Sequence, residues 1–275
     1  MRRRRTPAEE QVRPERELAE GGNRIVFLGT GGARVLVFKQ ILASGGLWIE
    51  MAGTRIHLDP GPGALVQATK RKLDPTKLDA IVLSHRHLDH AADVNVMMEA
   101  MTTGGFNRRG VVLAPRDAYE DDPVILRYVR DYVASTIVIE ERGEYQIGSV
   151  RMTAPIRHDH PGEVYGLIFE SPGCRWSYIC DTRYFPELAD HYRAEVVIMH
   201  TVRLEESEIY HLSIPDAKRL IEVIRPQTAI ITHFGMTVWR AKPWLVAERL
   251  SQETGVHVVA ARDGMRFALP GPAAG

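Results

Sequence analysis

The run His85-Arg86-His87-Leu88-Asp89-His90 constrains this chain more than any other feature in it. It follows Ala80-Ile81-Val82-Leu83, an unbroken apolar stretch that reads as a strand buried on both faces. On extended backbone His85 and His87 project to one side of that strand end. Asp89 and His90 follow where the chain turns into a helix expected from about His90 to Glu99. Nitrogen and oxygen donors packed this closely suit zinc or a similar first-row ion. Divided into two pairs, the four would serve two neighbouring ions.

The rest of the chain supplies a frame for this cluster. Ile25 to Leu28, Val35 to Phe38, Leu47 to Ile49 and Arg55 to Leu58 read as short strands separated by glycine turns. Further strands are expected at Val111 to Ala114, Thr136 to Ile139, Glu195 to Met199, Ala229 to Thr232, Val256 to Ala260 and Met265 to Ala268. Tyr145 to Ile156 reads as strand, turn and strand, and Ser171-Pro172-Gly173 as the turn of a hairpin between Tyr165–Glu170 and Trp176–Cys180. Helices are expected over Ala64 to Lys70, from the N-cap Ser213 to Ile224, and from Pro243 to Thr254 before Gly255. Early hairpins mixed with later strand–helix alternation favour mixed sheets over an all-parallel one. Two consecutive halves of this kind fit an α/β sandwich of four layers, αβ/βα, with two mixed β-sheets inside and helices on the outer faces.

Composition limits the alternatives. A chain of 275 residues, 44% hydrophobic and 25% charged, can bury a substantial core. Basic and acidic residues number 35 each, so no global charge directs it to nucleic acid or to a membrane surface. Cys174 and Cys180 are the two cysteines, too few for a disulfide scaffold and not spaced as a metal-binding pair. A cytoplasmic setting is the simplest expectation. No apolar run reaches membrane-spanning length, and the basic start Met1–Arg5 lacks the apolar stretch of a secretory signal. Residues 1–22, rich in Arg, Glu and Pro, read as a disordered tail, residues 23–269 as one domain, and residues 270–275 as a second tail.

Taken in order, these motifs resemble the metallo-β-lactamase superfamily of binuclear hydrolases. Asp59 in His57-Leu58-Asp59-Pro60-Gly61 resembles the aspartate that supports the histidine loop from behind. His85, His87, Asp89 and His90 form the second motif. His160, followed by Pro-Gly-Glu-Val-Tyr-Gly, resembles the third, Asp181 the bridging aspartate, and His233 the last ligand. The resemblance assigns His85, His87, His160 and Asp181 to one ion, and Asp89, His90, Asp181 and His233 to the other. It implies two divalent cations, zinc first and manganese or iron as alternatives, with a hydroxide held between them. Independently, a carboxylate has two oxygens and can bridge two cations, and a paired site clamps the group under attack. Asp89 and Asp181 are accordingly expected in the catalytic set.

Other residues compete or assist. His158 in His158-Asp159-His160 is the rival of His160, and is expected behind the ligands or on the substrate side. His211 in His211-Leu212-Ser213 resembles the proton-donating element of the tRNA 3′-end-processing endonucleases of the superfamily, and a poor leaving group needs such an acid. Those enzymes carry a glutamate after the bridging aspartate. The corresponding stretch here is His200-Thr201-Val202, without it. They also insert a long tRNA-gripping arm between the third and fourth motifs, where this chain has a tight hairpin. Arg86, Arg183, Arg203 and Arg240 lie near site elements in sequence and could receive an anion. Phe234, Gly235, Met236 and Trp239 could wall the site or pack elsewhere. Gly29-Thr30-Gly31-Gly32 lacks the third glycine of a dinucleotide loop, where Arg34 stands, and reads as a hairpin turn.

The leading expectation is hydrolysis of phosphodiester bonds, in a nucleotide or in nucleic acid not gripped by a tRNA arm. The alternative is a carboxylic ester, lactone, thioester or lactam hydrolase on the same metals. An iron-dependent redox enzyme comes third, because His87 stands where some of those place a glutamate and no added flavodoxin domain follows. A homodimer is compatible with every one of these readings.

Overall fold

The computed structural model describes residues 22–120 and 122–271. The expected tails therefore lie almost wholly outside the described residues. Among the described residues fourteen strands form two seven-stranded sheets. The first sheet contains β1 (Arg24–Gly29), β2 (Ser44–Met51), β3 (Thr54–Leu58), β4 (Ala80–Val82), β5 (Val111–Pro115), β6 (Ser135–Ile139) and the last strand, β14 (Arg266–Ala268), in the order β14-β1-β2-β3-β4-β5-β6. The second contains β7 (Gly143–Ile147), β8 (Val150–Ala154), β9 (Leu167–Ser171), β10 (Cys174–Ile179), β11 (Val196–His200), β12 (Thr228–Thr232) and β13 (His257–Ala260), ordered β13-β12-β11-β10-β9-β8-β7.

Each sheet is antiparallel on one side and parallel on the other. Strands β1, β2 and β3 run antiparallel, with a hairpin between β2 and β3, and β3 to β6 run parallel. The second sheet repeats this, with β7 to β10 antiparallel and β10 to β13 parallel. The mixed α/β sandwich expected from the pattern of strands and helices is the observed architecture.

Side-chain alternation divides the core into three layers. Ala80 and Val82 of β4 face the space between the sheets, while Ile81 and Leu83 meet the helices outside. In β11, Val196 and Ile198 face inward, and Val197 and Met199 face out. A strand covered on both faces must be apolar at every position, which is why these two runs are unbroken. Outside the first sheet lie α2 (Ala64–Lys70) and α4 (Val94–Met101). Outside the second lie α6 (Ile214–Ile224) and α8 (Pro243–Thr254). Ser213 caps α6 in a reciprocal box with Asp216, and Gly255 ends α8 in the left-handed conformation.

Two local expectations are corrected. Val35–Phe38 is not a strand but part of helix α1 (Ala33–Phe38). β1 is already paired with β2 and β14, so no ladder remains for a further strand, and tertiary context overrides the β propensity of these residues. The helix expected from His90 to Glu99 is two helices, α3 (Leu88–Ala91) and α4, split at Asp93. There the Asp93 amide donates to the Pro60 carbonyl and its carboxylate accepts from the Leu65 amide, which ties the motif to the loop after β3. Short helices α5 (Glu187–His191) and α7 (Met236–Arg240) were not foreseen. Among the described residues no helix is long and apolar enough to cross a membrane.

Candidate metal centre

The motif residues meet at the carboxyl ends of the parallel strands. Asp59 follows β3, His85 to His90 follow β4, Asp181 follows β10, His200 ends β11 and His233 follows β12. Open parallel sheets place ligand sites at such ends because the chain leaves the sheet there and its loops are free to carry polar groups.

Most donors fall into two groups around one carboxylate, and His160, Asp181 and His211 make a third that overlaps both. His85, His87 and His160 make the first, with the His160 Nε2 and His87 Nδ1 3.2 Å apart. His90 and His233 make the second, together with Asp181 and His200. Asp89 Oδ2 stands 3.5 Å from His233 Nε2. Asp181 lies between the groups. Its Oδ1 is 3.4 Å from His233 Nε2, and its Oδ2 is 3.5 Å from His90 Nε2 and 3.9 Å from His85 Nε2.

These side chains fit a cationic occupant. His85 Nε2, His90 Nε2, His233 Nε2 and His211 Nδ1 are buried without a hydrogen-bond partner. The opposite nitrogens of His90 and His85 are tied down, as is one nitrogen of His160. His90 Nδ1 is 3.0 Å from Asp59 Oδ2, and His85 Nδ1 is 3.0 Å from Ser84 Oγ. His160 Nδ1 is 2.6 Å from the Tyr210 carbonyl. An imidazole whose Nδ1–H is donated behind it presents the Nε2 lone pair forward, the arrangement that metal-binding histidines use. A buried lone pair with no hydrogen to accept is costly unless a cation takes it.

The electrostatics agree. Burial, reinforced by His90, drives His85 well below the usual histidine range, so it is neutral and able to donate a lone pair. Burial also opposes a charge on His90, but Asp89 and Asp59 outweigh it and raise that histidine well above the usual range. The acidic groups of the centre thus demand positive charge, which one imidazolium supplies only in part. A cavity lined by Gly31, Ser44, Asp89, His90, His200 and His233 opens beside these donors.

The supporting residues are as ordered as the donors. Asp59 Oδ1 accepts from the Ser84 amide at 2.7 Å, and Oδ2 accepts from Ser84 Oγ at 2.7 Å. Asp59 (φ 54°) and His233 (φ 57°) both hold left-handed backbone. Non-glycine residues adopt this at an energetic cost that a packed site must offset. Gly31 and Gly32 serve the His233 loop rather than a hairpin turn, correcting the sequence reading. The Gly32 amide donates to the Phe234 carbonyl, and a Cβ on Gly32 would fall 2.2 Å from His233 Cδ2.

His158 and His160 are separated by the fold. His160 joins the donors, whereas His158 is buried beneath them. Its Nε2 is 2.9 Å from the Tyr192 hydroxyl and its Nδ1 3.4 Å from Cys180 Sγ, and burial holds it at about 3. Cys180 packs in the core, as expected of a residue one step from Asp181. His160→Ala is expected to weaken metal binding by at least about tenfold. His158→Ala is expected to cost about 2–4 kcal/mol of stability through a cavity and lost hydrogen bonds, with metal affinity near the parent's. Parallel denaturant melts and metal titrations on the two variants measure both effects.

His211 Nδ1 reaches 3.6 Å from Asp181 Oδ2. The segment before it is clamped: the Arg183 guanidinium stacks 3.9 Å over the Tyr210 ring and donates to the Glu208 carbonyl, while His160 holds the Tyr210 carbonyl. Burial opposes protonation of His211, yet the Asp181 carboxylate prevails and raises it above the usual range. Arg86 pairs with Asp117 at 3.5 Å, Arg240 is exposed at the end of α7, and Arg203 pairs through its backbone with Leu212 and Ile214, so it is the Arg183 side chain that holds the segment before His211. Phe234 packs in the core under the outer helices instead of walling the centre.

Two functional neighbours escaped the sequence reading. His200 Nδ1 is 2.8 Å from Asp181 Oδ1, and its Nε2 is 2.7 Å from the Tyr178 hydroxyl. The available signal was a polar residue ending the apolar run Val196-Val197-Ile198-Met199.

The family model described as "Beta-lactamase superfamily domain" matches residues 54–234, more than half the chain. The uncharacterized protein MJ1374 of Methanocaldococcus jannaschii is 31% identical over 89% of this chain and 94% of its own length. A ribonuclease Z of Nanoarchaeum equitans is 20% identical over 82% of this chain and 91% of its own. Among solved structures, the metallo-beta-lactamase fold protein YhfI from Bacillus subtilis superposes with a TM-score of 0.77 at 18% identity, covering 90% of this chain and 99% of that one.

Proposed function

The chain belongs to the metallo-β-lactamase superfamily of metal-dependent hydrolases, and from that premise we propose that it hydrolyses phosphodiester bonds in a nucleotide or nucleic acid with two divalent cations, zinc in the first instance. The observation that carries the choice of bond is His211, an imidazole clamped 3.6 Å from the carboxylate between the two donor groups. Ester and lactone cleavage has less need of such an acid than expulsion of a nucleotide alkoxide. The ribonuclease Z relative supports the same reading.

His85, His87, His160 and Asp181 would hold one cation, and Asp89, His90, Asp181 and His233 the other. Such a pair supplies an acidified water and positive charge opposite the phosphoryl oxygens. The chain does the rest. Asp59 keeps His90 facing the centre, and Asp181 orients both groups. His211 delivers a proton to the departing oxygen, and the Arg183–Tyr210 stack keeps it within reach. The tight hairpin between β9 and β10 leaves no arm for a tRNA body, which favours a small or unstructured substrate.

Metal analysis of the purified protein, followed by a substrate panel, tests the proposal. Two equivalents of metal and turnover of bis(p-nitrophenyl) phosphate and dinucleotides are expected. One equivalent or none would sink the binuclear site. Full loading with turnover confined to lactones or thioesters would transfer the function to the carboxylic ester class.

A further inference from the structure

Behind the donors runs a buried chain of side chains that links the two halves of the centre. Asp181 Oδ1 lies 2.8 Å from His200 Nδ1, His200 Nε2 lies 2.7 Å from the Tyr178 hydroxyl, and that hydroxyl lies 2.9 Å from Asp59 Oδ2. Asp59 in turn holds His90 and Ser84, and Ser84 holds His85. Every member is at most 4% exposed. Tyr178 belongs to β10, His200 to β11 and Asp59 to the loop after β3, so the chain crosses from one sheet to the other.

We propose that His200 and Tyr178 are positioning residues that fix the bridging carboxylate of Asp181 and couple it through one hydroxyl to the Asp59 support of His90. This rests on the two-cation reading above and adds to it how the two donor groups are kept in register.

The hydrogen inventory leads there. A carboxylate only accepts, so His200 must donate its Nδ1–H to Asp181. That leaves Nε2 as an acceptor, and the Tyr178 hydroxyl is the donor in reach. With both His200 nitrogens engaged, His200 supports the centre instead of ligating in it. Its bond is to Oδ1, while Oδ2 lies 3.5 Å from His90 Nε2 and 3.9 Å from His85 Nε2. The same phenolic hydrogen faces Asp59 Oδ2. That single hydrogen is shared between His200 Nε2 and Asp59 Oδ2, so loss of the hydroxyl is felt on both sides of the centre at once. Tyr178 is 2% exposed, so its hydroxyl bonds lie in an environment where polar contacts are strong.

Tyr178→Phe keeps the ring and removes only the hydroxyl. In zinc and cobalt titrations against a chromophoric chelator it is expected to bind about tenfold to a hundredfold more weakly, and the visible spectrum of the cobalt-loaded protein is expected to shift. His200→Ala should do the same, and His200→Asn, whose amide can replace the Nδ1–H, should recover part of the loss. Tyr192→Phe is the control. It removes an equally buried hydroxyl bonded to a histidine, that of His158, whose side-chain partners among the described residues do not include the Asp181 carboxylate, and should leave affinity and spectrum unchanged. Parental cobalt spectrum and affinity in Tyr178→Phe would overturn the positioning role, as would equal losses in Tyr178→Phe and Tyr192→Phe. A parent chain that binds fewer than two ions would overturn the underlying reading instead, so the two failures appear in different arms.

Discussion

Asp181→Ala is expected to lose both cations and to reduce turnover of a phosphodiester by about a thousandfold or more. Among the described residues Asp181 alone faces both donor groups with separate oxygens, Oδ1 3.4 Å from His233 in one and Oδ2 3.9 Å from His85 in the other. Removing it leaves Asp89 beside His233 and His90 but takes away the carboxylate that faces His85, and leaves the His200 Nδ1–H without its acceptor. Stabilisation of transition-state charge by bound cations is worth several kcal/mol, and each 1.36 kcal/mol is tenfold in rate, so a thousandfold is the lower range of the loss. The metal-to-protein ratio after desalting and the rate on bis(p-nitrophenyl) phosphate measure the two effects. Asp181→Asn keeps the shape and removes the charge. It should resemble Asp181→Ala in metal content, because the charge and not the volume holds the ions. Two tightly held equivalents in Asp181→Ala would mean that the cations do not sit where the donors converge.

His211→Ala should behave in the opposite sense, with both ions retained and turnover lowered. A positioned general acid contributes about a hundredfold to ten-thousandfold, and the contribution grows with the basicity of the leaving group. The full loss is therefore expected with a dinucleotide, whose leaving alkoxide needs a proton, and a smaller one with p-nitrophenyl esters, whose leaving phenolate does not. Steady-state rates on the two substrates, with metal content measured alongside, separate this role from ligation. His211 Nδ1 stands 3.6 Å from Asp181 Oδ2, between the 3.5 Å of His90 Nε2 and the 3.9 Å of His85 Nε2. Loss of a metal equivalent in His211→Ala would place it among the ligands. An equal rate loss on both substrates would remove the acid.

The elements the chain reveals most readily are those with local punctuation. Ala64–Lys70, Ile214–Ile224 and Pro243–Thr254 are helical over the expected spans, because capping by Ser213 and termination at Gly255 act within a few residues. Val35–Phe38 was misread for the converse reason. Its β-branched composition describes a strand, but whether a sheet edge is free is decided by β2 and β14, the latter from the far end of the chain.

The donor set divides in the same way. His85, His87, Asp89 and His90 are adjacent in the chain and follow a strand that must be buried, so their chemistry is readable without coordinates. Asp59, His160, Asp181 and His233 are scattered, and they are readable only through their likeness to a family pattern. His200 and Tyr178 had no such signal. Tyr178 and Asp59 are 119 residues apart and meet because two sheets close face to face. The division of labour between His158 and His160 was likewise settled by packing, since two residues at the same spacing on a bent loop need not face the same way. By itself, then, the sequence determined the kind of chemistry, because donor atoms at close spacing on a strand end have few other uses. The tertiary structure alone decided which groups orient those donors, because hydrogen bonds between distant strands exist only once the sheets have packed.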